Sequence, residues 1–179
     1  MRLFVALDLP ETIQEQLQLI SCGLPGARWV QSEQLHLTLR FIGEADGSEL
    51  QEIRESLAFV RCRAFSLCLQ GVGFFPPRQE PHTLWAGVEH SESLLQLHRQ
   101  IESALKRIGL KPEQRNFAPH ITLARLHHTQ PGKIGSFLEQ HSLLFSPPFQ
   151  VNTFQLYRSI LGSEGSRYYV EEEYPLVVG

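Results

Sequence analysis

A four-residue phrase occurs twice in this chain, as His36-Leu37-Thr38-Leu39 and as His120-Ile121-Thr122-Leu123. With only 8 histidines in 179 residues, composition alone does not produce two copies. The repeat restricts the fold at once. In a β-strand, residues i and i+2 share a face. Each copy therefore turns an imidazole and a hydroxyl to one side and two aliphatic side chains to the other. The aliphatics can anchor the strand in a core while the polar pair lines a cleft. Two such strands facing each other would bring two imidazoles and two hydroxyls to one place.

The rest of the chain repeats the same plan. Leu3–Leu7 reads as a buried strand, followed by a helix from about Pro10 to the Gly23-Leu24-Pro25-Gly26 break. Trp29-Val30 is a short extended piece, and Leu35–Ile42 alternates as a strand closed by Gly43. Asp46-Gly47-Ser48-Glu49 opens a helix with a capping box. Phe65–Phe75, ended by Pro76-Pro77, and Leu84–Val88 read as strands. Ser91 caps an amphipathic helix carrying Leu94, Leu97, His98, Ile101, Ala104, Leu105 and Ile108, stopped by Gly109. The second phrase begins the strand His120–Leu126; a weaker helix lies near Gly132–Gln140. Strands at Phe149–Leu161 and Ser166–Tyr174 are joined by a Gly162-Ser163-Glu164-Gly165 hairpin. The motif strand follows a helix in each half, and nearly half the chain separates the two histidines. This is the pattern of an internal duplication giving two α+β lobes, expected to pack intimately as one domain over residues 1–179.

Composition sets the surroundings. A net charge of −3 and a pI of about 6.2 exclude a molecule that binds nucleic acid with its whole surface, so a polyanion site must be a local patch. Cys22, Cys62 and Cys68 are odd in number and form no Cys-x-x-Cys pair, which argues against a disulfide framework or zinc knuckle and for a reducing compartment. The Met1–Leu7 run is too short for a signal peptide, and no segment approaches the ~18 apolar residues of a membrane span. A cytoplasmic protein is expected, with no membrane association. A monomer follows from the acidic pI and the lack of an apolar repeat.

Two facing imidazoles point to concerted acid–base chemistry. Histidine ordinarily titrates near pH ~6.5, so one ring can be neutral while the other is protonated. Thr38 and Thr122 can hydrogen-bond oxygens of a group held between the rings. A tetrahedral anion such as a phosphodiester suits that arrangement, since it needs one proton moved on each side. No Gly-x-Ser-x-Gly, His-Glu-x-x-His or phosphate-binding Gly-rich loop with Lys-Ser/Thr is present. Two histidines plus a carboxylate could hold a metal, but threonine at i+2 is a poor ligand, so no metal or other cofactor is expected. Arg40 shares the parity of His36 and Thr38, and a regular strand would point it into the cleft as a phosphate ligand. Arg125 has the wrong parity and needs a bulge or a strand end to reach it. In His82-Thr83-Leu84 the spacer is missing, so ring and hydroxyl project from opposite faces. His82, His90, His98, His127, His128 and His141 read as structural or surface residues.

The paired phrase at this spacing resembles the 2H phosphoesterase superfamily. Arg28-Trp29-Val30, Leu35–Gly43 and Phe117–Arg125, with Arg2–Leu7 and Tyr157-Arg158-Ser159, look like the bacterial and archaeal RNA 2′,3′-cyclic phosphodiesterases, historically named 2′-5′ RNA ligases. The resemblance implies a bilobal, pseudo-twofold α+β fold with two mainly antiparallel sheets flanking a central cleft and helices outside. It implies metal-independent opening of an RNA-terminal or nucleoside 2′,3′-cyclic phosphate to a 2′-phosphomonoester. His36 would be the proton donor to the 3′ oxygen and His120 the acceptor that activates water. Thr38, Thr122 and Arg125 would hold the phosphate, and Trp29, Phe41 or Phe75 would stack on a base. Partners would be RNA ends bearing the cyclic phosphate, transfer RNA fragments among them, or small cyclic nucleotides. Two alternatives stand beside this: the same site joining RNA ends by a 2′-5′ bond, and a non-catalytic module that binds RNA ends.

Overall fold

The duplicated phrases occupy the two strands at the centre of a single path of pairing. A computed structural model describes residues 1–75, 82–163 and 165–179. The first half runs β1 (Arg2–Asp8), α1 (Glu11–Ile20), β2 (Ala27–Trp29), a 3₁₀ turn (Ser32–Gln34), β3 (His36–Glu44), α2 (Gly47–Leu57) and β4 (Phe65–Leu67). The second runs β5 (Leu69–Phe75), β6 (His82–Val88), α3 (Glu92–Arg107), β7 (His120–Leu126), α4 (Pro131–Gln140), β8 (Phe149–Val151), β9 (Thr153–Gly162) and β10 (Gly165–Pro175). The strand order is β10-β9-β1-β3-β7-β6-β5, antiparallel throughout, with β2 also on β7 and with β4 pairing β8 as a separate two-stranded sheet.

The two motif strands meet at one residue pair. β3 and β7 are joined only at Leu37 opposite Ile121, the residues next to His36 and His120. A pseudo-twofold axis through that pair relates β9-β1-β3 to β5-β6-β7. The burial patterns of the motif strands agree residue for residue over their first six positions. This is the expected α+β duplication, with two antiparallel sheet halves.

Local chemistry explains the helices. Asp46 accepts from Glu49 N while Glu49 accepts from Asp46 N, both at 2.8 Å, a complete capping box. The Ser91 hydroxyl accepts from Leu94 N at 3.1 Å. Gly109, at φ +91°, takes the left-handed conformation that ends α3. Each helix buries one stripe against the sheet: Ile13 and Leu17 from α1, Ile53 and Leu57 from α2, Leu97 and Ile101 from α3, Ile134 and Phe137 from α4. The opposite face of the sheet is left open as the cleft. No described helix is long and apolar enough to cross a membrane.

Two expected strands are each interrupted. Phe65–Phe75 breaks at Cys68 and Phe149–Leu161 breaks at Asn152, because β4 and β8 leave the main sheet to pair with each other. The Pro76-Pro77 ending, Glu164 of the hairpin and the His82 side chain lie outside the described residues.

Candidate active site

The site is built twice, once on each motif strand. His36 Nδ1 lies 2.7 Å from Gln34 O, and His120 Nδ1 lies 2.7 Å from Ala118 O. A carbonyl only accepts, so Nδ1 carries the proton in both rings and Nε2 is the atom that changes protonation state. In each case the carbonyl belongs to the residue two before the histidine, Gln34 at the end of the 3₁₀ turn and Ala118 in the connection before β7. Edge-on aromatics flank both imidazoles at 87°: Tyr168 of β10 at 5.2 Å from His36, and Phe75 of β5 at 4.8 Å from His120.

Both motif strands carry a β-bulge at the same point. Ala6 pairs Thr38 and Val5 pairs Arg40, so Leu39 has no partner on β1. Trp85 pairs Thr122 and Leu84 pairs Ala124, so Leu123 has none on β6. Each bulge reverses the facing of the residues beyond it. On β7 it turns Arg125, exposed, onto the face of His120 and Thr122. On β3 it puts Phe41 in the equivalent place, 63% exposed.

Beyond the same bulge, Arg40 is a paired cation and not the free phosphate ligand expected of it. Its guanidinium is 7% exposed and is held by Glu102 of α3 at 3.0 Å, by Glu113 at 3.5 Å and by the carbonyl of Lys111. The Glu102 contact is an ion pair without hydrogen-bond alignment. Arg40 straps the connection between α3 and β7 and lines the cavity beside His120 with its charge already paired. Trp29 is corrected too: its ring lies 5.9 Å from Phe137 of α4, on the helix side of the sheet.

Electrostatics join the two halves. Burial lowers the His36 pKa, against the raising effects of the Gln34 carbonyl and the Asp8 carboxylate, and a charge on His120 lowers it further. Asp8 stands opposite His36 on β1 and accepts a hydrogen bond from the Tyr157 hydroxyl. Burial raises the Tyr168 phenol, and the Arg125 charge opposes that rise. With its folded pKa below the ordinary 6.5, His36 binds fewer protons than the unfolded chain does. Its contribution makes stability rise with pH up to about 6.5, and that stability is lost on acidification below it.

On the His120 side lies a cavity of about 540 Å³, whose lining includes Thr38, Arg40, Phe41, Phe75, His98, Glu113, Arg115, Asn116, Phe117 and His120. His98, expected as a core or edge residue, stacks on Phe117 with ring centroids 3.9 Å apart. A larger groove of about 680 Å³ runs between α2 and the C-terminal strand, where Arg54 is paired to Glu172 at 2.5 Å. None of the duplicated residues reaches it. Among the described residues, no three His, Cys, Asp or Glu side chains gather to hold a metal ion. Asp8, Tyr168, Arg115 and Asn116 were missed in the sequence. Their approach depends on strand register and on the turn before β7, which no local pattern announces.

A duplicated α+β fold whose two histidine-bearing strands meet at Leu37 and Ile121 is that of the 2H phosphoesterase class. The family model of the 2′-5′ RNA ligase superfamily matches residues 9–162, and the chain belongs to that family. Proteins named RNA 2′,3′-cyclic phosphodiesterase are similar over nearly the whole length. One from Archaeoglobus fulgidus is 32% identical over 94% of this chain and 96% of its own; one from Thermotoga maritima is 34% identical over 95% and 92%. The fold superposes on a crystal structure from Thermus thermophilus with a TM-score of 0.83 at 29% identity, covering 98% of this chain and 97% of that one. Escherichia coli LigT in apo form gives a TM-score of 0.80 at 27% identity, covering 98% and 96%.

Proposed function

We propose that this chain hydrolyses the 2′,3′-cyclic phosphate of RNA ends and nucleosides to a 2′-phosphomonoester, without a metal ion. The matched Nδ1 contacts of His36 and His120 carry the reading, because they leave one proton-exchanging Nε2 on each ring. The activity for which the relatives are named supports it, as do E. coli LigT crystals with 3′-AMP and with phosphate.

In this mechanism the neutral Nε2 of His120 takes a proton from water as the oxygen attacks phosphorus. The bond from phosphorus to the 3′ oxygen breaks on the far side, and Nε2–H of His36 protonates the departing oxygen. Each positioned transfer contributes typically ~10²–10⁴ in rate. Thr38 and Thr122 donate to the non-bridging oxygens, and Arg125 offsets the charge that accumulates there. His36 must hold a proton despite its burial. The Asp8 carboxylate and the incoming phosphate anion both favour that form. Phe41 and Phe75 form the wall on which the base lies.

The test is incubation with the four nucleoside 2′,3′-cyclic phosphates in EDTA. The expected product is the 2′ isomer alone; the 3′ isomer, or loss of activity in the chelator, contradicts the proposal. Adding RNA fragments with 5′-hydroxyl ends would expose any 2′-5′ joining, which water in large molar excess opposes unless the second end is held in place.

A further inference from the structure

A second cation stands beside Arg125. β2 pairs with β7 so that Arg28 lies directly opposite Arg125, and both side chains are exposed. Residues so placed share a face with Cβ atoms ~4.5–5.5 Å apart, and like charges in that relation are destabilising. Neither guanidinium has a hydrogen-bond or ion-pair partner among the described residues.

The fold nevertheless holds the two together. Val30 N donates to Leu123 O at 2.8 Å at one end of β2, and His127 N donates to Gly26 O at 2.9 Å at the other. The Thr129 hydroxyl donates to Pro25 O at 2.9 Å. At Gly26, with φ +82°, a Cβ would stand 2.3 Å from His127 O, so glycine permits this close approach. A strand tethered at both ends keeps two uncompensated cations side by side, an arrangement that makes sense for an anion with more than one phosphate.

The pseudo-twofold axis gives the site a direction. β7 runs antiparallel to β3 from the Leu37–Ile121 pair, so Arg125, beyond Thr122, lies toward the His36 end, whereas its counterpart Phe41 shares the cavity of Phe75 and His120. In the mechanism proposed above, the 3′ oxygen leaves toward His36. The ribose carbons C3′, C4′ and C5′ then lie on the cationic side, and the base on C1′ points toward the aromatic wall. The group attached at C5′ in an RNA chain, and missing from a nucleoside cyclic phosphate, is a phosphodiester.

We infer that Arg28, alongside Arg125, binds the phosphodiester on the 5′ side of the terminal nucleotide and so makes the chain select oligonucleotide ends over mononucleotides. This rests on the proposed hydrolysis of the cyclic phosphate.

The test compares kcat/KM for a dinucleotide ending in a 2′,3′-cyclic phosphate with that for the matching nucleoside 2′,3′-cyclic phosphate. The wild-type protein should prefer the dinucleotide. Arg28→Gln should lower the ratio about tenfold, mostly through KM, and Arg28→Lys should keep the larger part of it. The salt dependence of the dinucleotide reaction should flatten by about one unit of log–log slope. Arg28→Gln should hold or raise Tm, because a like-charge pair is relieved. An unchanged ratio overturns the inference, whether both rates fall together or neither falls. Failure of the underlying hydrolysis would look different: the wild-type protein would cleave neither substrate. Binding of a dinucleotide with a terminal 2′-phosphate would then still report whether Arg28 contacts the internal phosphate.

Discussion

His36→Ala and His120→Ala should each slow hydrolysis of a nucleoside 2′,3′-cyclic phosphate by about 10²–10⁴ in kcat, the usual worth of one positioned proton transfer. The double variant should lose much less than the product of the two single losses. Acid and base act on the same phosphorus in one step, and groups that act as a unit are strongly non-additive. Folding should survive both changes. Each ring is half-buried and packs mainly on aromatics at the cleft, Phe4 and Tyr168 for His36 and Phe75 for His120. Steady-state kinetics with thermal unfolding of the same samples separates lost chemistry from lost structure. Retention of more than a tenth of the wild-type kcat in either variant would remove that ring from the mechanism.

Arg40→Leu should have the largest effect on stability, about 3 kcal/mol, or roughly 6–12 °C in Tm for a chain of this size. Removing the guanidinium leaves Glu102 and Glu113 without their cation in a site where the Arg40 side chain is only 7% exposed. The figure lies at the low end of the range for breaking a buried pair because the Glu113 side chain is 37% exposed and can turn to water. Activity should fall as well. The connection that Arg40 straps at Lys111 and Glu113 goes on to place Arg115 and Asn116 in the cavity wall and the Ala118 carbonyl on His120. Adding Glu102→Gln should recover part of the lost Tm, since one uncompensated charge disappears with it. A Tm for Arg40→Leu within about 1 °C of wild type would mean that the cluster contributes nothing.

The histidines and threonines were legible because a strand repeats every two residues and the phrase occurs twice. Capping at Asp46 and Ser91 and the stop at Gly109 were legible for a similar reason, since each is a local hydrogen-bonding or dihedral requirement written in adjacent residues. The bulges were not. Leu39 and Leu123 look like ordinary aliphatic members of an alternating strand, yet each is the extra residue that turns the side chains beyond it over. Arg40 is therefore an ion-paired part of the cavity wall where plain alternation suggests a free ligand, and Arg125 has only a conditional route to the cleft. The breaks at Cys68 and Asn152 were hidden because either apolar run would serve equally well as one long strand. Asp8 and Tyr168 were invisible for a different reason. They reach His36 through β1 and β10, and the register of those strands depends on pairings between residues up to about 160 positions apart, such as Arg2 with Ser159.

That both imidazoles serve one phosphate can be read most directly from ¹⁵N NMR of the histidine rings as nucleoside 2′-phosphate is added across a pH range. Free His36 should titrate below 6.5, and bound product should raise its midpoint. Nε2 of His36 and of His120 should shift together and saturate at one equivalent, while Nδ1 of each keeps its proton. A response from only one ring, or a His36 that stays neutral with product bound, would contradict a shared site.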